Sequence, residues 1–118
     1  MKKLFEILIP VAPNEENQGV CDDRLTFVNK NGGLYNPIFN DNHNLDFETF
    51  AIGKVGGMSK FPAIRGVWID NGQIYAEKMI PYRFACDENL IREIAEFAKT
   101  HYEQKSIFVA EIGTAEFL

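Results

Sequence analysis

Residues 62–82 read PAIRGVWIDNGQIYAEKMIPY, two runs of strand formers on either side of Asp70-Asn71-Gly72. Asn-Gly between alternating apolar residues is the strongest short-range signal for a β-hairpin with a two-residue turn. The turn sets the register. Asp70 faces Gln73, Ile69 faces Ile74, Trp68 faces Tyr75, Val67 faces Ala76, Gly66 faces Glu77 and Ile64 faces Met79. Val67, Ile69, Ile74, Ala76 and Ile80 then share one apolar face, suited to lie against helices. Ile64, Trp68, Tyr75, Glu77 and Met79 share the other.

Outward from the hairpin, Leu4–Val11 (LFEILIPV) predicts a first strand, with Phe5, Ile7 and Ile9 on one side and Leu4, Glu6 and Leu8 on the other. Asn44–Met58 predicts a helix capped by Asn44 or Asp46 and stopped at Gly56-Gly57, although Gly53 costs about 1 kcal/mol relative to Ala. Asp87–Gln104 predicts a second helix, capped by Asp87, with Leu90, Ile91, Ile94, Ala95, Ala98, His101 and Tyr102 on one stripe. Ser106–Ile112 predicts the last strand, extending toward Leu118 past a break at Gly113. Phe108, Ala110 and Ile112 are assigned to the helix side, and Ile107, Val109 and Glu111 to the open side.

The order strand, helix, strand, strand, helix, strand is the βαββαβ pattern of a ferredoxin-like α+β fold. It implies a four-stranded antiparallel sheet, ordered fourth, first, third, second, with two helices on one face. Residues 14–44, rich in Asn, Asp and Gly, form a long insertion after the first strand. A small hairpin is expected there, Leu25–Val28 and Leu34-Tyr35 flanking Asn29–Gly33. All 118 residues belong to a single domain.

Composition excludes several classes. The chain is acidic, net charge −5, with no Lys/Arg run, which argues against nucleic acid and against an anionic membrane surface. No stretch approaches the ~20 apolar residues of a membrane span. The short run Leu4–Ile9, interrupted by Glu6, is not a secretory signal, and Cys21 and Cys86 read as free thiols. A soluble, cytoplasmic protein is expected.

The C-terminal two-thirds, residues 47–112, resembles a small bacterial domain family of unknown function. The residues that carry this are Phe61-Pro62, Gly72-Gln73, Glu77, Ile94-Ala95, then Tyr102, Gln104 and Ser106-Ile107 before the final strand. Ala63-Ile64-Arg65 stands where that family has Gly-x-Thr, and the export signal of many relatives is absent. The resemblance implies a ferredoxin-like fold and no particular activity.

Chemical motifs are sparse. Gly53–Lys60 (GKVGGMSK) lacks the Walker spacing, but Lys54, Gly56, Gly57 and Lys60 are a candidate anion loop. His43 and His101 have no partners at zinc spacing, and Asn40–Asp46 lacks the Glu-terminated calcium loop, so neither metal nor cofactor is expected. No Gly-x-Ser-x-Gly elbow is present.

The open sheet face is the informative feature. It is apolar and aromatic, with Glu6, Glu77 and Glu111 as its carboxylates, and such faces mark interfaces or ligand grooves. One reading is a non-catalytic interaction module that homodimerises sheet on sheet through Trp68, Met79 and their neighbours. A second is a small cofactor-independent lyase, isomerase or hydrolase. There Glu77 is the general base aided by Tyr75, Glu6 or Arg65, under a lid of Tyr35 and Phe39, with Arg24 or Arg65 able to pair with a glutamate. A third is an accessory protein, of phage or mobile-element type, holding a small anionic ligand between the Gly56-Gly57 turn and residues 14–44.

Overall fold

The computed structural model describes residues 2–11, 19–21, 27–29 and 39–118, and for residues 19–21, 27–29, 68, 70 and 75 the backbone only. Among the described residues the architecture is α+β: two helices against one antiparallel sheet. The sheet has seven strands rather than the expected four, namely β1 (Lys2–Pro10), β2 (Gly19–Cys21), β3 (Phe27–Asn29), β4 (Ser59–Lys60), β5 (Ile64–Asp70), β6 (Gln73–Cys86) and β7 (Phe108–Ala115). The helices are α1 (Asp41–Val55) and α2 (Glu88–His101).

Strand β6 is the axis. At 14 residues it spans roughly 45 Å, longer than any one partner, and it takes two on each side. Along one edge lie β5, opposite Gln73–Met79, and β4, opposite Tyr82 and Arg83. Along the other lie β2, opposite Tyr75 and Ala76, and β1, opposite Met79–Cys86. β1 in turn pairs with β7. The hairpin register is the one read from the turn, pair for pair from Ile64↔Met79 to Asp70↔Gln73. Asn71 and Gly72 take φ of 50° and 77°, the left-handed pair that a two-residue turn of this kind requires.

Two of the three extra strands, β2 and β3, come from the expected insertion, and the third, β4, lies between α1 and the hairpin. β2 and β3 pair with each other, so β3 finds its partner upstream at Gly19–Cys21. The predicted partner, Leu34-Tyr35, lies outside the described residues, as does Arg24. Exposed edge N–H and C=O groups on β6 beyond Pro10 offer β2 a place to pair.

Helix α1 begins earlier than its pattern suggests. Asn40 is the cap, its side-chain oxygen accepting from the His43 amide at 2.9 Å. Asn44, expected as a cap, is instead buried and accepts the Tyr102 hydroxyl at 2.7 Å. Gly56 ends the helix in the left-handed conformation, as read. Asp87 begins α2 as read, but without a side-chain capping bond.

The core lies between both helices and one sheet face: Phe5, Ile7 and Ile9 from β1, Tyr82, Phe84 and Cys86 from β6, Phe47 and Ala51 from α1, and Ile91, Ile94 and Ala98 from α2. Burial of Phe47 and Ala51 offsets the cost of Gly53 within α1. The helices are clasped by two histidines. Each donates Nε2–H to the other's backbone carbonyl at 2.7 Å, with the rings stacked 3.8 Å apart. Phe39, expected as part of a lid over the open face, is buried on the helix side and stacks on His43.

Candidate functional site

The sheet face away from the helices is built by alternation. On β1 it presents Leu4, Glu6 and Leu8. Opposite them on β6 stand Ala85, Arg83 and Pro81, and Met79 faces Pro10. The hairpin extends the face through Glu77 and Gly66, and through the backbone positions of Trp68 and Tyr75. An added Cβ on Gly66 would lie 2.5 Å from the Met79 methyl group, so the Met79 side chain rests against the glycine.

On β7 the two faces are exchanged relative to expectation. Phe108 pairs with Leu8 and Ala110 with Glu6, which brings both to the open face. Val109 and Glu111 pair with Ile7 and Phe5 on the helix side, and Ile107 packs against the core. The register then shifts at Ile112, a bulge that bends the strand before Gly113. Both parities of Phe108–Ile112 are apolar enough for a half-solvated edge strand. Glu111 is accommodated at the sheet margin by Lys3, 3.1 Å away. The open face therefore carries Glu6 and Glu77 but not Glu111.

Glu6 is paired near the middle of this face. Arg83 donates from Nε to Glu6 Oε2 at 3.0 Å, and its guanidinium carbon lies 4.7 Å from the Phe61 ring centroid. It takes the place expected for Arg24 or Arg65 as a glutamate's partner. Arg65 pairs in register with Lys78, which puts it on the opposite face from Glu77. Arg83 was legible: the alternation Glu77, Met79, Pro81 continues to it, one residue past the end of the hairpin stretch.

A cavity lies on each side of this ion pair. One, of about 230 Å³, is lined by Glu77 and Met79 with Leu8, Phe108, Gln104 and Ser106. The other, of about 570 Å³, opens among Leu4, Ala85, Met58, Phe61, Phe117 and Arg83, and the Gly56-Gly57 turn forms part of its wall. The lysines of the candidate anion loop do not converge. Lys54 pairs with Glu93 at 3.5 Å and Lys60 with Glu48 at 2.8 Å. The same Glu48 oxygen accepts the Tyr82 hydroxyl at 2.6 Å. Burial and this carboxylate push the Tyr82 hydroxyl well above the usual tyrosine range, and burial does the same to Tyr102. The Cys86 thiol is also raised, by burial and by Asp87, and is a core residue without the character of a nucleophile. Tyr35 lies outside the described residues.

Among the described residues no group of three or more His, Cys, Asp and Glu is placed to hold a metal ion. None of their helices is long and apolar enough to cross a membrane.

No protein-family model matches the chain, and no curated protein matches it by sequence. Solved structures do. The periplasmic divalent cation tolerance protein CutA of Archaeoglobus fulgidus superposes with a TM-score of 0.59 at 11% identity, covering 100% of this chain and 88% of that one. The divalent cation tolerance protein of Thermus thermophilus gives 0.57 at 8% identity over 98% of this chain and 88% of its own. The divalent ion tolerance protein CutA1 of Ehrlichia chaffeensis gives 0.53 at 7% identity over 100% and 87%. At these identities the likeness is one of fold: this chain has the α+β architecture of the CutA structures.

Proposed function

We propose that the chain is a non-catalytic binding and interaction module that pairs with a second copy through its open sheet face. The observation that carries this reading is the face itself: Leu4, Leu8, Met79, Ile64 and Phe108 share it, Phe108 is 56% exposed, and among the described residues Glu77 and the Glu6–Arg83 pair interrupt it. An apolar face of this kind is covered in solution, and two-fold pairing of sheets is the simplest cover. The ferredoxin-like description belongs to the same reading, supported by the order β7, β1, β6, β5 within the larger sheet. So does a cytoplasmic location, which rests on Cys21 and Cys86 being read as free thiols and runs against the periplasmic name of one structural neighbour.

The neighbours' name raises divalent cations as a ligand class. The module is assigned binding through its apolar surface, the feature that the open face displays. Light scattering after size exclusion tests this. The wild type is expected at twice the 13.5 kDa chain mass at micromolar concentration, and Leu8→Glu at the single mass. A wild type that stays monomeric at every concentration overturns the dimer.

A second reading is favoured by one observation, the 230 Å³ cavity beside Glu77. It is the place where a general base would act, with Gln104 and Ser106 as polar neighbours. Turnover of any small substrate that Glu77→Gln abolishes without changing the melting temperature would support an enzyme over a module.

A further inference from the structure

The larger cavity has a chemistry of its own. Its lining is largely apolar, from Leu4, Met58, Phe61, Ala85 and the exposed Phe117, and among the described residues the single charged side chain lining it is Arg83. Glu6 takes the Nε–H of that arginine, and Phe61 lies under the guanidinium. Two fixed contacts orient the plane, and among the described residues no protein acceptor takes the Nη groups. A guanidinium fork held this way matches a planar carboxylate, two parallel N–H···O bonds to one head group. At about 570 Å³ the space suits a small organic molecule.

The surroundings also limit the ligand's charge. Glu6 is already within 3.0 Å of Arg83, and the carbonyl end of α1 forms the Val55–Gly57 wall, the negative pole of the helix. A phosphate with two charges meets repulsion that a monocarboxylate meets half as strongly. We infer that this cavity binds a monocarboxylate with an apolar body, its head on the Arg83 fork and its chain among Leu4, Met58, Phe61 and Phe117. The inference rests on the open face as the working surface, not on dimerisation.

Isothermal titration of the full chain with octanoate tests it, with 1-octanol and octyl phosphate as comparison probes. Octanoate is expected to bind at least tenfold more tightly than either. Arg83→Gln should lose that preference, and Phe117→Ala should weaken octanoate several-fold while keeping it. Glu6→Gln removes the competing carboxylate and is expected to hold or strengthen binding, which a purely structural role for the ion pair would not produce. Melting curves identify any variant that fails to fold, and amide NMR shifts then locate the site in the wild type. Shifts centred on Gly56, Gly57 and Met58 support the inference, and shifts centred on Glu77 overturn it. Equal binding of octanoate and 1-octanol, or Glu6→Gln weakening octanoate as much as Arg83→Gln, also overturns it. Light scattering on the same samples keeps the two ideas apart. A monomer that binds octanoate removes the dimer alone, and a dimer that ignores octanoate removes the carboxylate site alone.

Discussion

The two halves of β6 carry the same alternation and meet different fates. In the half from Ile80 to Cys86, the helix-side residues Tyr82, Phe84 and Cys86 are buried, with β1 and β4 at the edges and α1 and α2 above. In the half from Gln73 to Met79, the equivalent side of the hairpin runs past the helices. Val67 is 42% exposed and Ile69 70% exposed, although both were expected against them, while Ala76, opposite Val67 on β6, is buried. Alternation determines which side chains share a face. What covers that face depends on helix length: at 15 and 14 residues, α1 and α2 are about 21–23 Å long, half the length of the strand they cover.

This difference predicts where truncation hurts. Phe84→Ala should cost about 3–5 kcal/mol in urea unfolding, as large-to-small changes in a closed core do. Val67→Ala, the same chemistry on the same side of the sheet, should cost under about 1 kcal/mol. Equal losses would mean the tip is as well covered as the core.

Alkaline pH probes the covered half through its tyrosines. Tyr82 and Tyr102 hold their protons in the fold to higher pH than in the unfolded chain, where tyrosine titrates near its ordinary value of about 10. Above that pH the unfolded state releases protons that the native state retains, so stability is complete below pH 10 and falls beyond it. The slope should approach about 1.4 kcal/mol per pH unit for each tyrosine. Replacing both by Phe should flatten it. An unchanged slope in that double variant would place the sensitivity elsewhere.

Legibility followed the same divide. Local chemistry dictated the Asn71-Gly72 turn, the Gly56 stop and the register of the hairpin, and all were readable residue by residue. The β7 parity was not, because each alternation of FVAEI holds apolar residues, Phe108, Ala110 and Ile112 on one and Val109 beside Glu111 on the other, and the lysine that accommodates Glu111, Lys3, is far away in sequence. The α1 start was missed for a similar reason. Asn40 and Asn44 are both capping residues by type, and only the hydroxyl of Tyr102, 58 positions on, decides which is drawn into the core. At the site, Glu6, Glu77 and Met79 were readable from alternation. Arg83 needed the strand to continue past Tyr82, and the cavities needed the turn after α1 and the C-terminal Phe117 brought beside the sheet.

The Asn44–Tyr102 bond gives a middle-sized test of the same half. Tyr102→Phe leaves the Asn44 oxygen buried without its donor and should cost about 1–3 kcal/mol. Adding Asn44→Ala should recover part of that loss, since both partners of the bond are then gone. A double variant as unstable as the sum of the singles would mean Asn44 acts through other contacts.

The smallest effect is expected at the far tip, and it is informative because it is small. Ile69→Thr keeps β-branching and strand propensity, and at 70% exposure it changes little buried surface, so a dilute monomer should lose no more than about 0.5 kcal/mol. The tip is long and apolar, however, and a partner copy that reached it would remove Ile69 from water. The cost of the substitution should then rise with protein concentration, because association stabilises the fold by mass action. Unfolding the variant and the wild type at low and high micromolar concentration separates the cases. A cost that stays near zero at both confines any dimer contact to the sheet nearer the helices, around Leu8 and Phe108. A cost that grows carries the interface out along the hairpin to its turn.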